Sequence, residues 1–179
     1  MNVKVNFSDY TIEKIIKHLI IIIDTREQEN SHITEFLDKK KIPYIVKKLN
    51  FGDYSCMIKA NEELGLLQDV SLENSFAVER KNSLEEISNN ITNKRTEFEN
   101  EFLRAKEKGC KINLVIENGS WLKIAQGKYN TKTNTNSFYN SLLSFSDKYN
   151  LNIDYVPKEL TALHILKIFQ IRLKSRLKE

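Results

Sequence analysis

An α/β sandwich, with a mixed central β-sheet flanked by helices, is the fold class this sequence predicts, and three observations carry it. Strand-like and helix-like segments alternate along the chain. The run Leu19 to Ile23 is apolar at every position, the pattern of a central strand covered on both faces. Only five Gly and two Pro occur in 179 residues, which argues for regular elements joined by short turns. With 40% hydrophobic residues and 21.0 kDa, the chain is expected to form one domain over 1–179. Within it, 1–18 reads as an N-terminal extension, 19–156 as the core and 157–179 as a basic C-terminal helix.

Val3, Val5 and Phe7 alternate with polar residues and predict a short edge strand. Ile12, Ile15, Ile16 and Leu19 recur at helical spacing. Ser31 is placed to cap a helix whose Ile33, Phe36 and Leu37 face inward. Pro43 opens a strand through Leu49, and Phe51-Gly52-Asp53-Tyr54 turns into another, Ser55 to Ile58. Ala60 to Ser75 reads as a polar loop long enough to need a reason. Phe76 to Lys81 resumes as a strand. A long helix follows from Ser83, interrupted near Asn89-Asn90 and stopped by Gly109, with Phe98, Phe102 and Ala105 on one face. Lys111 to Glu117 is a strand, Trp121 to Ala125 a short helix and Asn130 to Asn136 a polar loop. Ser137 to Tyr149 is a helix and Leu151, Ile153 and Tyr155 alternate as the last strand.

Several function classes drop out. No stretch approaches the ~20 apolar residues a membrane span needs. The N-terminus lacks the basic-then-apolar pattern of a signal peptide, so a cytoplasmic location is expected. Cys56 and Cys110 alone cannot build a disulfide framework or a four-cysteine zinc site and are read as buried, reduced thiols. His18, His32 and His164 are too scattered for a metal site and are read as structural. Core packing likewise accounts for Trp121 and Phe138.

The net charge of +4 is a mild hint of a polyanionic partner, but its distribution says more. From Trp121 onward ten basic residues face four acidic ones. Lys128 and Lys132 beside the polar loop, and Arg172, Lys174 and Arg176 on the last helix, are therefore candidate phosphate contacts on DNA.

The carboxylates gather at strand ends. Asp24 closes the most apolar strand and is followed by Thr25, Arg26 and Glu27. Asp53 sits in a Gly-Asp turn. Glu79 and Lys81 lie two apart on a strand and so share a face, while Arg80 points the other way. Phosphodiester hydrolysis needs this kind of set, because an anionic ester repels hydroxide unless a cation sits on it. Mg²⁺ (or Mn²⁺) takes a few carboxylates and keeps several waters, which suits Asp53 and Glu79 with Asp24 or Glu27 nearby. Lys81, a compact charge, is suited to orient the attacking water or to stabilise developing negative charge.

In their order, Asp24-Thr25-Arg26-Glu27, Gly52-Asp53-Tyr54 and Val78-Glu79-Arg80-Lys81 resemble the nuclease domain of the XPF-type structure-specific endonucleases, a branch of the restriction-endonuclease-like fold. That family's signature is Gly-Asp, a gap, Glu-Arg-Lys, three residues and Asp; Glu85 stands here in place of the last Asp. The stand-alone form carried by phages and prophages looks most similar. The resemblance implies metal-binding or catalytic roles for Asp24, Asp53 and Glu79, a catalytic Lys81, and supporting roles for Arg26, Glu27 and Arg80. Arg80 is expected to brace the site through an ion pair, with Glu27 as one candidate. Arg95 matches an arginine at the start of the family's long helix, aimed at the cleft or a DNA phosphate.

The function expected is a divalent-metal-dependent DNA endonuclease acting on branched, flapped or forked duplexes in recombination, repair or phage DNA processing. It would work in a bacterial or phage-infected cell, as a homodimer or with a DNA-binding partner. The alternative is a nuclease-fold subunit that binds DNA or a partner without cutting; retention of Asp24, Asp53, Glu79 and Lys81 argues against it.

Overall fold

Ser8 starts the first helix: its hydroxyl accepts the Thr11 amide and opens α1 (Asp9–Ile16). The computed structural model describes residues 7–178. The strand expected at Val3 to Phe7 therefore lies outside the described residues, except for Phe7, which packs on the core. After β1 (Ile20–Ile23) comes α2 (Ser31–Lys39). Ser31 is its first residue rather than its cap; Asn30 precedes it, and the Asn30 side chain donates to the Glu27 carbonyl at 3.1 Å. β2 (Tyr44–Val46) ends before the expected Leu49, because the Leu49 amide donates to the Asp24 side chain and not to a neighbouring strand.

β3 (Tyr54–Ile58) is followed by the 60–75 segment, which is not wholly irregular. It holds a 3₁₀ turn at Glu62–Leu64 and the two-residue strand β4 (Val70–Ser71) paired to β3. Leu66 and Leu72 are buried in the core, which is the reason this segment stays ordered and long. β5 (Phe76–Lys81) leads to α3 (Leu84–Thr92) and α4 (Arg95–Glu107). The break between these helices falls at Asn93-Lys94. Just before it, the Thr92 hydroxyl donates to the Ser88 carbonyl and Asn93 donates to the Asn89 side chain, polar groups competing with the helix ladder. Gly109, at φ +72°, turns the chain out of α4. β6 (Lys111–Glu117), α5 (Trp121–Ala125), α6 (Thr135–Tyr149), β7 (Asn152–Val156) and α7 (Thr161–Lys178) complete the chain.

The sheet runs β2-β1-β3-β5-β6-β7, with β4 on β3. β1 pairs parallel with β2 and antiparallel with β3; β5, β6 and β7 run parallel. This is a mixed seven-stranded sheet between helices, the fold class expected. On one face α1, α2 and α7 cover Ile21, Ile23, Tyr54, Cys56 and Val78. On the other, α3, α4 and α6 cover Ala77, Ile112, Leu114 and Ile116. Over β1 and β3 that second face carries only a small cluster, Leu49 against Ile22 and Met57. Cys56 and Cys110 are free and buried, and among the described residues no helix is long and apolar enough to cross a membrane.

Candidate active site

Asp24, Asp53, Glu79 and Lys81 stand at the ends of β1, β3 and β5, and strand alternation sends all four to the side of the sheet that carries α4. Two backbone bonds tie them: the Asp24 amide donates to the Asp53 carbonyl, and the Asp53 amide to the Val78 carbonyl, each at 2.8 Å. Gly52 makes this approach possible. Its φ is +65°, and a Cβ there would lie 2.9 Å from both the Ala77 Cβ and the Val78 carbonyl oxygen. Gly52→Ala is expected to cost well over the ~1 kcal/mol of an ordinary glycine replacement. A denaturation curve matching wild type would refute this role for the Gly-Asp turn.

The carboxylates are not equivalent. Asp24 is 1% exposed, and its own side chain organises the turn after β1. Oδ1 accepts the Arg26 amide (2.9 Å) and the Arg26 Nε (2.6 Å); Oδ2 accepts the Leu49 amide (2.5 Å). Burial pushes this carboxyl up, but the Arg26 guanidinium and the two amides outweigh it and hold it below the usual carboxylate range. Asp53 keeps a partly exposed surface while its carboxyl lies deep among protein atoms. Burial, with the Glu79 charge beside it, pushes Asp53 well above the usual range against the pull of Lys81. Its Oδ2 accepts the Arg80 amide at 2.8 Å.

Glu79 is 4% exposed and accepts from the Lys81 ammonium at 2.7 Å. Lys81 also stands 3.5 Å from Glu86 and lies over the Phe98 ring. Burial alone would lower its pKa; the charges of Glu79, Asp53 and Glu86 more than reverse that and keep the ammonium protonated. Arg80, on the opposite face, donates to Glu27 at 2.6 Å and to the Glu29 carbonyl at 3.0 Å, and its other nitrogen stands 3.2 Å from Glu117. Glu117 in turn meets His32 at 2.7 Å. Glu27 thus joins this bracing network, and its charge also reaches Asp53.

Two acids of this site escaped the sequence reading. Glu101 on α4 feels Glu79, Lys81, Arg26 and Arg104, and burial with the Glu79 charge pushes it up to about 7. Its signal was available: it lies three residues beyond Phe98, on the helix face that meets the sheet. Glu86 reaches Lys81, whereas Glu85, in the signature's last acidic position, accepts the Asn130 amide at 2.8 Å and anchors the following loop. The spacing Ser83-x-x-Glu86 marks a helix start, and the Ser83 hydroxyl accepts the Glu86 amide.

The remaining basic candidates stand apart from the acids. Arg95 pairs with Glu99 at 2.9 Å and lies over the Phe145 ring, turned toward α6. Lys128 lines a cleft at the ends of β5 and β6 with Asn82, Ser83, Glu117 and Lys123, and Lys132 is exposed on the adjoining loop. On α7, across the sheet from the cluster, Arg172 lies over the Phe76 ring and Lys174 pairs with Glu13. Arg176 belongs to this same helix, whose Phe169, Leu173 and Leu177 are buried.

Among the described residues, no three His, Cys, Asp or Glu side chains stand grouped as ligands of one ion. Asp53 and Glu79 nonetheless suit a hard cation: two carboxylates are forced together in a shielded place, and Mg²⁺ needs only one or two of them with water and phosphate completing its shell.

No curated protein matches the chain. Among solved structures it is similar to XPF from Aeropyrum pernix, with a TM-score of 0.61 and 20% identity, covering 86% of this chain and 64% of that one. XPF from Aeropyrum pernix in complex with DNA gives a TM-score of 0.61 at 21% identity, with 89% and 68% covered. The chain thus spans 64% of the length of the first of these. At such identity the likeness establishes the fold, an XPF-type nuclease fold. The ERCC4 domain family matches residues 23–169, from the last residue of β1 to the middle of α7. With the Gly-Asp turn and the Glu-Arg-Lys strand inside that match, this chain belongs to the ERCC4 domain family.

Proposed function

We propose that the chain is a divalent-metal-dependent endonuclease that hydrolyses phosphodiester bonds in branched, flapped or forked DNA. Recombination, repair or phage DNA processing would be its setting, and one nuclease domain over 1–179, alone, as a homodimer or with a DNA-binding partner, its unit. The observation that carries this reading is the meeting of Asp53, Glu79 and the Lys81 ammonium at the ends of β3 and β5. Membership in the ERCC4 domain family and the DNA complex of the Aeropyrum XPF support it.

Asp53 and Glu79 would hold Mg²⁺ or Mn²⁺. The chemistry such an ion supplies is polarisation of the scissile phosphoryl oxygen and a more acidic bound water. Lys81, an ammonium beside Glu79, Asp53 and Glu86, would act as a positive charge against the phosphoryl oxygens. Arg26, its side chain 59% exposed and anchored by Asp24, is placed to meet substrate phosphate. Asp24 anchors Arg26 and the Leu49 amide, and its Oδ2, with a single amide on it, keeps a lone pair that could join the same ion.

A second reading is a subunit that binds DNA or a partner without cutting. Labelled linear, flap, fork and four-way DNA incubated with Mg²⁺ or Mn²⁺ separates the two. Cutting of branched forms that stops with EDTA is the expected result. Binding without cutting on every substrate would establish the second reading instead.

A further inference from the structure

One groove lies outside the catalytic cluster and has no role in the chemistry above. It has a volume of about 450 Å³ and is lined by Asn50, Phe51, Asn74, Arg104, Glu107 and Lys108. Its place in the fold gives it meaning. Phe51 is two residues before Asp53, on the turn that Gly52 presses against β5. The opposite wall is α4, where Arg104 follows Glu101 by three residues and Glu101 feels both Arg104 and Glu79. The groove therefore lies beside the Asp53–Glu79 pair, along the second half of α4.

Its walls differ in kind. Arg104 and Lys108 are exposed, four residues apart, so their side chains project from one helix face about 6 Å apart along the axis. Facing them, Asn50 donates to Asn74 at 2.9 Å, a neutral amide lip able to offer further donors and acceptors. Phe51, 7% exposed, forms an apolar floor. Glu107 is the one acid in the lining.

We infer that this groove holds the DNA strand that runs on from the scissile phosphate, with Arg104 and Lys108 taking successive phosphates. A pair of cations spaced along one helix face suits a polyanion with regularly repeating charge, and nearness to the Asp53–Glu79 pair says which polyanion arrives there. Glu107 weakens that grip and favours release of the cut strand. The inference rests on the endonuclease reading and extends it to the path of the substrate.

The test compares three variants on one fork substrate over a range of salt. Arg104→Gln with Lys108→Gln should raise KM severalfold, leave kcat within about twofold, and make the salt slope shallower by roughly 2. Glu107→Gln should lower KM. Lys17→Gln with Lys40→Gln removes the same charge from exposed positions on the opposite face and should change neither KM nor slope. Equal effects from both lysine-containing pairs would mean a diffuse field and overturn the groove assignment. So would a groove pair that shifts nothing while wild-type protein cuts. If wild-type protein binds without cutting, Kd replaces KM and the same comparisons decide. Wild-type protein that neither binds nor cuts removes the endonuclease reading, and this inference with it.

Discussion

Asp53→Asn is expected to lower metal-dependent DNA cutting by at least about a hundredfold while leaving the fold as stable as before or more so. The loss follows from removing one of two carboxylates that meet at the ends of β3 and β5. The stability result follows from what that meeting costs. Burial and the Glu79 charge raise the folded-state pKa of Asp53. A group so shifted contributes fully below its unfolded value, ~3.9 for Asp, and loses that contribution as pH rises through the folded value. The wild-type protein loses it progressively as pH rises above ~3.9, whereas Asn stays neutral and its amide oxygen can still accept the Arg80 amide. Thermal unfolding in EDTA should therefore show Asn at least equal to Asp near pH 7, with any gain vanishing as pH drops toward ~4. A variant that cuts at the wild-type rate, or that loses activity only because it unfolds, would contradict this.

Arg80→Met is expected to be the most damaging single change behind the sheet, costing about 3–5 kcal/mol. Against a typical total of roughly 5–15 kcal/mol, that threatens folding at ordinary temperature. The side chain of Arg80 is 4% exposed and those of its partners Glu27 and Glu117 are 9% and 0% exposed. Without the guanidinium, two carboxylates remain buried, with His32 2.7 Å from Glu117. The cost comes from stranded charge and not from lost packing. Accordingly, adding Glu27→Gln and Glu117→Gln to Arg80→Met should recover much of the loss in a denaturant titration. A triple variant no more stable than the single one would show that Arg80 acts by some other means.

Period-two alternation made β5 readable: it alone separates Glu79 and Lys81 from Arg80, and the structure sends them to opposite faces. β6 and α5 likewise follow their local apolar patterns to the residue. What local pattern could not carry was the partner each charged group would find. The basic residues of α7 read as a free positive surface, yet the pairing of Lys174 with Glu13 joins positions 161 residues apart. Arg95 had a nearer choice, Glu99 one turn along its own helix. For Asp24 the Leu49 amide, 25 residues on, donates to its second oxygen, a partner no local pattern shows. Leu66 and Leu72 lie in a polar stretch, so their burial depended on where β4 docks. Glu101 was hidden by a reading of α4 that tracked only its apolar face.

Calorimetric titration of Mn²⁺ into the DNA-free protein is the most direct trial of the shared carboxylate pocket. One saturable site in the wild-type chain, gone in a folded Asp53→Asn, Glu79→Gln variant, is the predicted outcome. No uptake by wild type, or undiminished uptake after both acids are neutralised, would contradict it.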